Sequence, residues 1–160
     1  YFCENYHQKE FEKNGIKEKF VQDNMSFSKK GTLRGMHYQI NPHAQAKIVY
    51  VFQGTIFDAV VDIRNGSPTF GSWFSYVLKA KSSEALFVPR GFAHGFCVLS
   101  KTALVSYKCS SFYKPEFERS IKWNDKRIRI KWPIKPDLKL MSEKDKSAPS
   151  LDNADINFSF

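Results

Sequence analysis

The feature that most constrains this chain is a succession of short β-rich runs joined by turns, with no helix-length segment between one run and the next. Residues 20–21, 32–39, 47–53, 55–63, 73–78, 85–88, 96–99 and 102–109 are rich in Val, Ile, Phe and Tyr. Turn signals stand between them: Gly54-Thr55, Asn65-Gly66-Ser67-Pro68, Lys81-Ser82-Ser83 and Pro89-Arg90-Gly91. Branched and aromatic side chains suit a pleated, half-buried surface, whereas Gly, Pro and Asn supply the backbone angles of tight turns. Parallel strands need a long, usually helical crossover, and this spacing leaves no room for one. An all-β antiparallel sandwich or barrel is therefore expected, with short peripheral helices. One helix is expected over residues 4–13, which carry Tyr6 and Phe11 among polar residues and stop at Asn14-Gly15. Another is expected at Ser142-Glu143-Lys144-Asp145, with Ser142 as N-cap. At 160 residues, 42% of them hydrophobic, the chain reads as one domain over 1–160.

The formal net charge of +9 predicts an anionic partner: nucleic acid, anionic membrane or a phosphorylated small molecule. The Lys-rich stretches, Lys29-Lys30 and residues 122–131, are broken by acidic and apolar residues, as on an ordinary solvated surface, so no nucleic acid is expected. No run of about 18 apolar residues and no signal peptide is visible, which predicts a cytoplasmic protein without a membrane partner. Cys3, Cys97 and Cys109 show no C-x-x-C pairing and read as reduced core thiols.

Four segments carry polar groups where a plain β-protein would carry none. They are Gly31-Thr32-Leu33-Arg34-Gly35-Met36-His37-Tyr38-Gln39 with Lys47 following; residues 57–71; Val88-Pro89-Arg90-Gly91-Phe92-Ala93-His94-Gly95-Phe96; and Ser106-Tyr107-Lys108-Cys109 with the later Ser142-Glu143-Lys144-Asp145. In this order they closely resemble the dTDP-4-dehydrorhamnose 3,5-epimerase family, jelly rolls of the cupin superfamily that act on 4-keto-6-deoxy nucleotide sugars. The resemblance runs from about Tyr1 to Leu151. The family's extreme N-terminal strand, with an arginine that reaches the neighbouring subunit's phosphates, precedes the segment like Phe2-Cys3-Glu4 and is not in this sequence.

The resemblance implies epimerisation at C3, C5 or both, through an enolate, in activated-sugar synthesis for surface polysaccharide. Such chemistry needs a base on one face of the sugar, an acid on the other, a cation near the ketone oxygen and a hold on the handle. His37 matches the family's base; imidazole accepts and returns protons near neutrality. A lone strand histidine is more often satisfied by hydrogen bonds, and the surrounding motif reverses that judgement. Asp145 matches the aspartate that pairs with the base, although on its own it reads as a helix-start residue. Tyr107 matches the general acid, and alternation also puts it on one strand face with Ala103 and Val105. Lys47 matches the lysine beside the ketone oxygen; without the resemblance it would read as solvated.

Arg34 matches the family's diphosphate ligand. It stands three residues from His37, so a regular strand would turn the two to opposite faces, and Gly35 is where a bulge would re-aim one of them. Gln22, Asn24, His94, Lys144, Tyr113 and Glu118 match positions around nucleotide and sugar, and Phe2 and Glu4 match positions lent by the partner of a homodimer with exchanged N-terminal segments. No cofactor or metal is expected: His37, His43 and His94 lack the H-x-H spacing of metal-binding cupins, and Lys47 stands where a carboxylate ligand belongs. The rival readings are a metal-dependent cupin oxygenase and a non-catalytic sugar-binding cupin.

Overall fold

The computed structural model describes residues 2–160. A short helix, α1 (Gln8–Lys13), precedes the strands β1 (Gln22–Lys29), β2 (Leu33–Gln39), β3 (Lys47–Gln53), β4 (Thr55–Asp62), β5 (Trp73–Lys79), β6 (Leu86–Val88), β7 (Phe92–Val98), β8 (Thr102–Cys109) and β9 (Glu118–Ser120). A second helix, α2 (Glu143–Lys146), follows. The strands form two antiparallel sheets, ordered β1-β8-β3-β6 and β5-β4-β7-β2-β9. Apart from β4 and β5, paired neighbours are not consecutive in the chain, which is the jelly-roll arrangement expected of a cupin.

The centre of the five-stranded sheet, β4 and β7, is buried on both sides, while its edge strand β5 is largely exposed. Between the sheets Val49, Val51, Val60, Val98 and Val105 form one core. On the other side Phe57, Ala59, Val61 and Ile63 pack under a C-terminal cover that includes Ile121, Ile128, Leu151 and Phe158. This explains why β4 beyond Thr55 is apolar on both faces apart from Asp58 and Asp62: both of its faces meet protein.

Four expectations need correction. Helix α1 starts at Gln8, four residues later than expected: His7 is extended and gives no capping bond, and the Tyr50 hydroxyl donates to Asn5 O just before it. Gly15 follows the helix at φ +90°, as expected of a residue placed there. Strand β1 lies beyond 20–21 because its inward face is polar, and β7 begins at Phe92 although Gly-Phe-Ala-His-Gly reads as a turn. Strand β9 was not foreseen. Cys97 and Cys109 are buried, but Cys3 is exposed, since its extended segment crosses the surface instead of joining a sheet. No helix among the described residues is long and apolar enough to cross a membrane.

Candidate active site

The space between the sheets is apolar at one end and polar at the other. The polar end is a cavity of about 350 Å³. Sheet β1-β8-β3 contributes Gln22, Asn24, Lys47 and Tyr107 to its wall, and the facing sheet contributes Arg34, His37 and His94. Tyr113 and Glu118 complete the set of foreseen residues that line it.

Arg34 and His37 both reach this cavity because β2 is irregular between them: its register with β7 shifts from Arg34 opposite Phe96 to His37 opposite His94. Gly35 sits at the shift with φ +133°. A Cβ there would lie 2.4 Å from Gly95 Cα and 2.9 Å from His94 O, so both the angle and the space demand glycine. Gly35→Ala is expected to cost about 2–4 kcal/mol of stability, from overpacking together with a strained backbone. Denaturant unfolding reads it, and a loss of about 0.5 kcal/mol or less would show that the shift does not depend on this residue.

His37 Nε2 meets Asp145 Oδ1 at 2.5 Å, while the Asp145 backbone N–H donates to the Ser142 hydroxyl at 3.1 Å. Asp145 is thus both a helix-start residue and the partner of the histidine. Burial works to raise its carboxyl, but the His37 bond and charge, with help from Ser142 and Lys144, hold it below the usual carboxylate value. The neighbouring Lys144 pairs with Glu118, which also accepts from the Tyr113 hydroxyl at 2.7 Å. Burial opposes ionisation of Glu118 too, yet the bonds from Lys144 and Tyr113 win and lower it. The same Glu118 bond, with burial behind it, pushes the Tyr113 phenol up to about 12. Lys144 and Asp145, adjacent on α2, therefore tie that helix to the cavity at two points.

Lys47 is buried, with its ammonium 6.0 Å from the centre of the Tyr107 ring. Burial lowers its pKa from 10.5, against the pull of Cys109, Glu118 and Asp58. Burial also raises the Tyr107 phenol above 10.0. Gln22 donates to Asn24 and accepts from the Tyr113 backbone N–H, which braces this end of β1.

Phe2 and Glu4 do not reach this cavity. They are exposed and border a separate groove of about 860 Å³ with Tyr50, Phe52 and Lys79. That groove is larger, but it brings together no histidine with a carboxylate, so the chemistry belongs to the smaller cavity.

Sequence reasoning missed Asp58. Its Oδ1 meets His94 Nε2 at 2.5 Å, and both side chains are buried. An acid between Phe57 and Ala59 in an apolar run was the available signal, because a wholly buried carboxylate needs a partner. Ser26, Gln45, Phe96 and Cys109 also line the cavity unforeseen. Among the described residues no group of three His, Cys, Asp or Glu side chains is arranged to hold a metal. The cavity thus combines two carboxylate-bound imidazoles, a protonated phenol, an ammonium and a guanidinium. Such a set can move protons beside an anionic ligand.

Known proteins share this chain's sequence and fold. The family profile described as dTDP-4-dehydrorhamnose 3,5-epimerase matches residues 1–153. The dTDP-4-dehydrorhamnose 3,5-epimerase of Shigella flexneri is 49% identical over 156 residues, covering 97% of this chain and 85% of the relative. The dTDP-6-deoxy-D-glucose-3,5-epimerase of Legionella pneumophila, solved with dTDP-4-keto-L-rhamnose, superposes with a TM-score of 0.91 at 44% identity, over 96% of this chain and 81% of that one. A 3′-monoepimerase from Streptomyces bikiniensis, solved with dTDP-quinovose, gives 0.85 at 35% identity, over 93% and 75%. On fold, cavity and sequence together, the chain belongs to the dTDP-4-dehydrorhamnose 3,5-epimerase family of isomerases.

Proposed function

We propose that this protein inverts C3 and C5 of a 4-keto-6-deoxy sugar carried on dTDP, with His37 as base and Tyr107 as acid. The observation that carries the reading is that these two side chains enter one cavity from facing sheets. A sugar ring lying between them meets a proton acceptor on one face and a donor on the other. A proton on carbon next to a ketone is acidic because the remaining charge moves to the ketone oxygen. His37 takes that proton on Nδ1, since Nε2 is held by Asp145, and Asp145 stabilises the imidazolium that forms. Lys47 supplies positive charge at the oxygen, in a buried place where such charge acts strongly. Tyr107 then returns a proton to the opposite face, and burial keeps its phenol protonated until that moment.

Arg34 holds the diphosphate, Gln22, Asn24, Tyr113, Glu118 and Lys144 surround the nucleotide and sugar, and His94, fixed by Asp58, touches the sugar. The reaction needs no metal or redox cofactor, because the proton taken and the proton returned balance. It serves cytoplasmic synthesis of activated sugars for surface polysaccharide. The working form is a homodimer in which Phe2 and Glu4 complete the neighbour's site; both are exposed and away from their own cavity.

In heavy water with dTDP-4-keto-6-deoxyglucose, the protein is expected to place deuterium at C3 and C5 with inversion, and to do so equally in the presence of EDTA. GDP-linked 4-keto hexose and heptose serve as the competing substrates. Exchange at C3 alone would make it a mono-epimerase, and no exchange with any of the three would overturn the reading. Light scattering of the same preparation is expected to give a dimer, and a monomer would remove the exchanged segment from the account.

A further inference from the structure

Among the described residues, two buried side-chain atoms have no hydrogen-bond partner in the protein: Ser26 Oγ and Asp58 Oδ2. Both belong to the cavity. Ser26 lines it, and Asp58 stands behind His94, which also lines it. Folded proteins keep few such atoms, because leaving a polar group buried and unpaired costs about as much as a lost hydrogen bond. Asp58 has one oxygen committed to His94. The Ser26 hydroxyl has no partner among the described residues.

The position of Ser26 on β1 shows what it could meet. Gln22, Asn24, Ser26 and Ser28 alternate with the outward-facing Met25 and Phe27, so the four polar residues share the inward face. Gln22 and Asn24 bond to each other, and the Ser28 hydroxyl accepts from Arg34 Nε at 3.2 Å. That is the one hydrogen bond the Arg34 side chain makes to a described residue, so its two terminal nitrogens remain uncommitted. Arg34 reaches from the facing sheet to Ser28, two residues along the same β1 face from Ser26, so the Ser26 hydroxyl and the Arg34 fork line one cavity from opposite sheets, and both can donate. A cluster of uncommitted donors that includes a guanidinium suits a group that is acceptor-rich and negatively charged, which a sugar hydroxyl is not and a phosphoryl group is.

We propose that Ser26 donates a hydrogen bond to a phosphoryl oxygen of the diphosphate, and that Ser28 is a positioning residue aiming the Arg34 fork at the same group. This rests on the nucleotide-sugar reading of the cavity. Ser26 then carries a polar atom that the free protein does not use, and its bond forms only when ligand enters. Removing it should weaken the ligand without weakening the protein, which is the reverse of what a structural serine does.

The test is calorimetric binding of dTDP and of thymidine to the intact protein, with thermal unfolding of the unliganded forms. Ser26→Ala is expected to weaken dTDP about 10- to 100-fold, the worth of a hydrogen bond to a charged group. Its thymidine affinity should stay unchanged, and its unliganded Tm unchanged or raised. Ser28→Ala should weaken dTDP about 3- to 10-fold, the worth of an ordinary hydrogen bond, and Ser28→Thr, which keeps the hydroxyl, should restore it. Ser26→Ala binding dTDP as the native protein does, losing thymidine equally, or melting lower, would overturn the assignment of Ser26. If Ser28→Ala leaves dTDP binding untouched, its positioning role falls. A folded native protein that binds no dTDP would overturn the nucleotide-sugar reading first, and this one with it.

Discussion

His37→Ala is expected to abolish both inversion and proton exchange at C3 and C5, whereas Tyr107→Phe should abolish inversion far more than exchange. The difference follows from the order of the steps. Without the imidazole no proton leaves, so no enolate forms and nothing downstream can be observed. Without the phenol the enolate still forms and His37 returns a proton to the face it came from, so deuterium enters without change of configuration. A positioned acid is worth about 10²- to 10⁴-fold, and inversion should slow by that much while exchange falls by less than tenfold (~3-fold). Both side chains line the cavity and neither belongs to the apolar clusters' buried centre, so the variants should fold. Mass spectrometry counts deuterium and proton NMR reads configuration on one sample. If Tyr107→Phe loses exchange as completely as His37→Ala while still binding dTDP, the division of roles is wrong.

How much of this was legible depends on what each face of a strand meets. Strands β3 and β8 match their expected limits because one face is apolar throughout and the spacing to the next turn is short. Strand β1 was read as two residues because the cavity reverses the usual pattern: its inward residues are Gln, Asn and Ser, and its apolar Met25 and Phe27 face outward. Strand β7 lost its first half because Gly91 and Gly95 bracket Phe92-Ala93-His94 and read as a turn. In the fold Gly95 is there because Met36 and the Gly35 backbone press against it, a contact with a distant part of the chain that local spacing cannot show.

The site shows the same division. Arg34, His37, Lys47 and Tyr107 do converge, and the doubt over Arg34 is resolved by the shift at Gly35. Asp145 lies 108 residues from His37, and nothing in local spacing pairs them; only resemblance to known epimerases did. Asp58 and Ser26 escaped because their importance is a property of burial. A carboxylate in an apolar run and a serine in a polar one look ordinary until the surroundings show that the first is wholly enclosed and the second has no partner.

Lys47→Met is expected to lower kcat by at least about 10³-fold while leaving dTDP affinity within a few-fold, and to make the protein no less stable at neutral pH. The loss reflects the enolate oxygen, whose charge appears only as the reaction proceeds; removing a single neutral donor at such a place costs about 10²- to 10³-fold, and a full charge is worth more. The stability effect has the opposite sign. Burial lowers the Lys47 pKa below its unfolded value of 10.5, so folding disfavours the charged form. That penalty is fully present at any pH below the folded pKa, shrinks as pH rises through it, and is gone above 10.5. Methionine has similar volume and no charge, so the variant avoids the penalty at neutral pH, and its advantage should disappear toward pH 10.5. In the native enzyme loss of the Lys47 charge should lower kcat beginning below that pH, whereas burial moves the Tyr107 phenol upward from its ordinary value. Retention of more than a tenth of kcat (~10%) by Lys47→Met, or a kcat that holds level past pH 10.5, would show that this ammonium does not carry the charge of the intermediate.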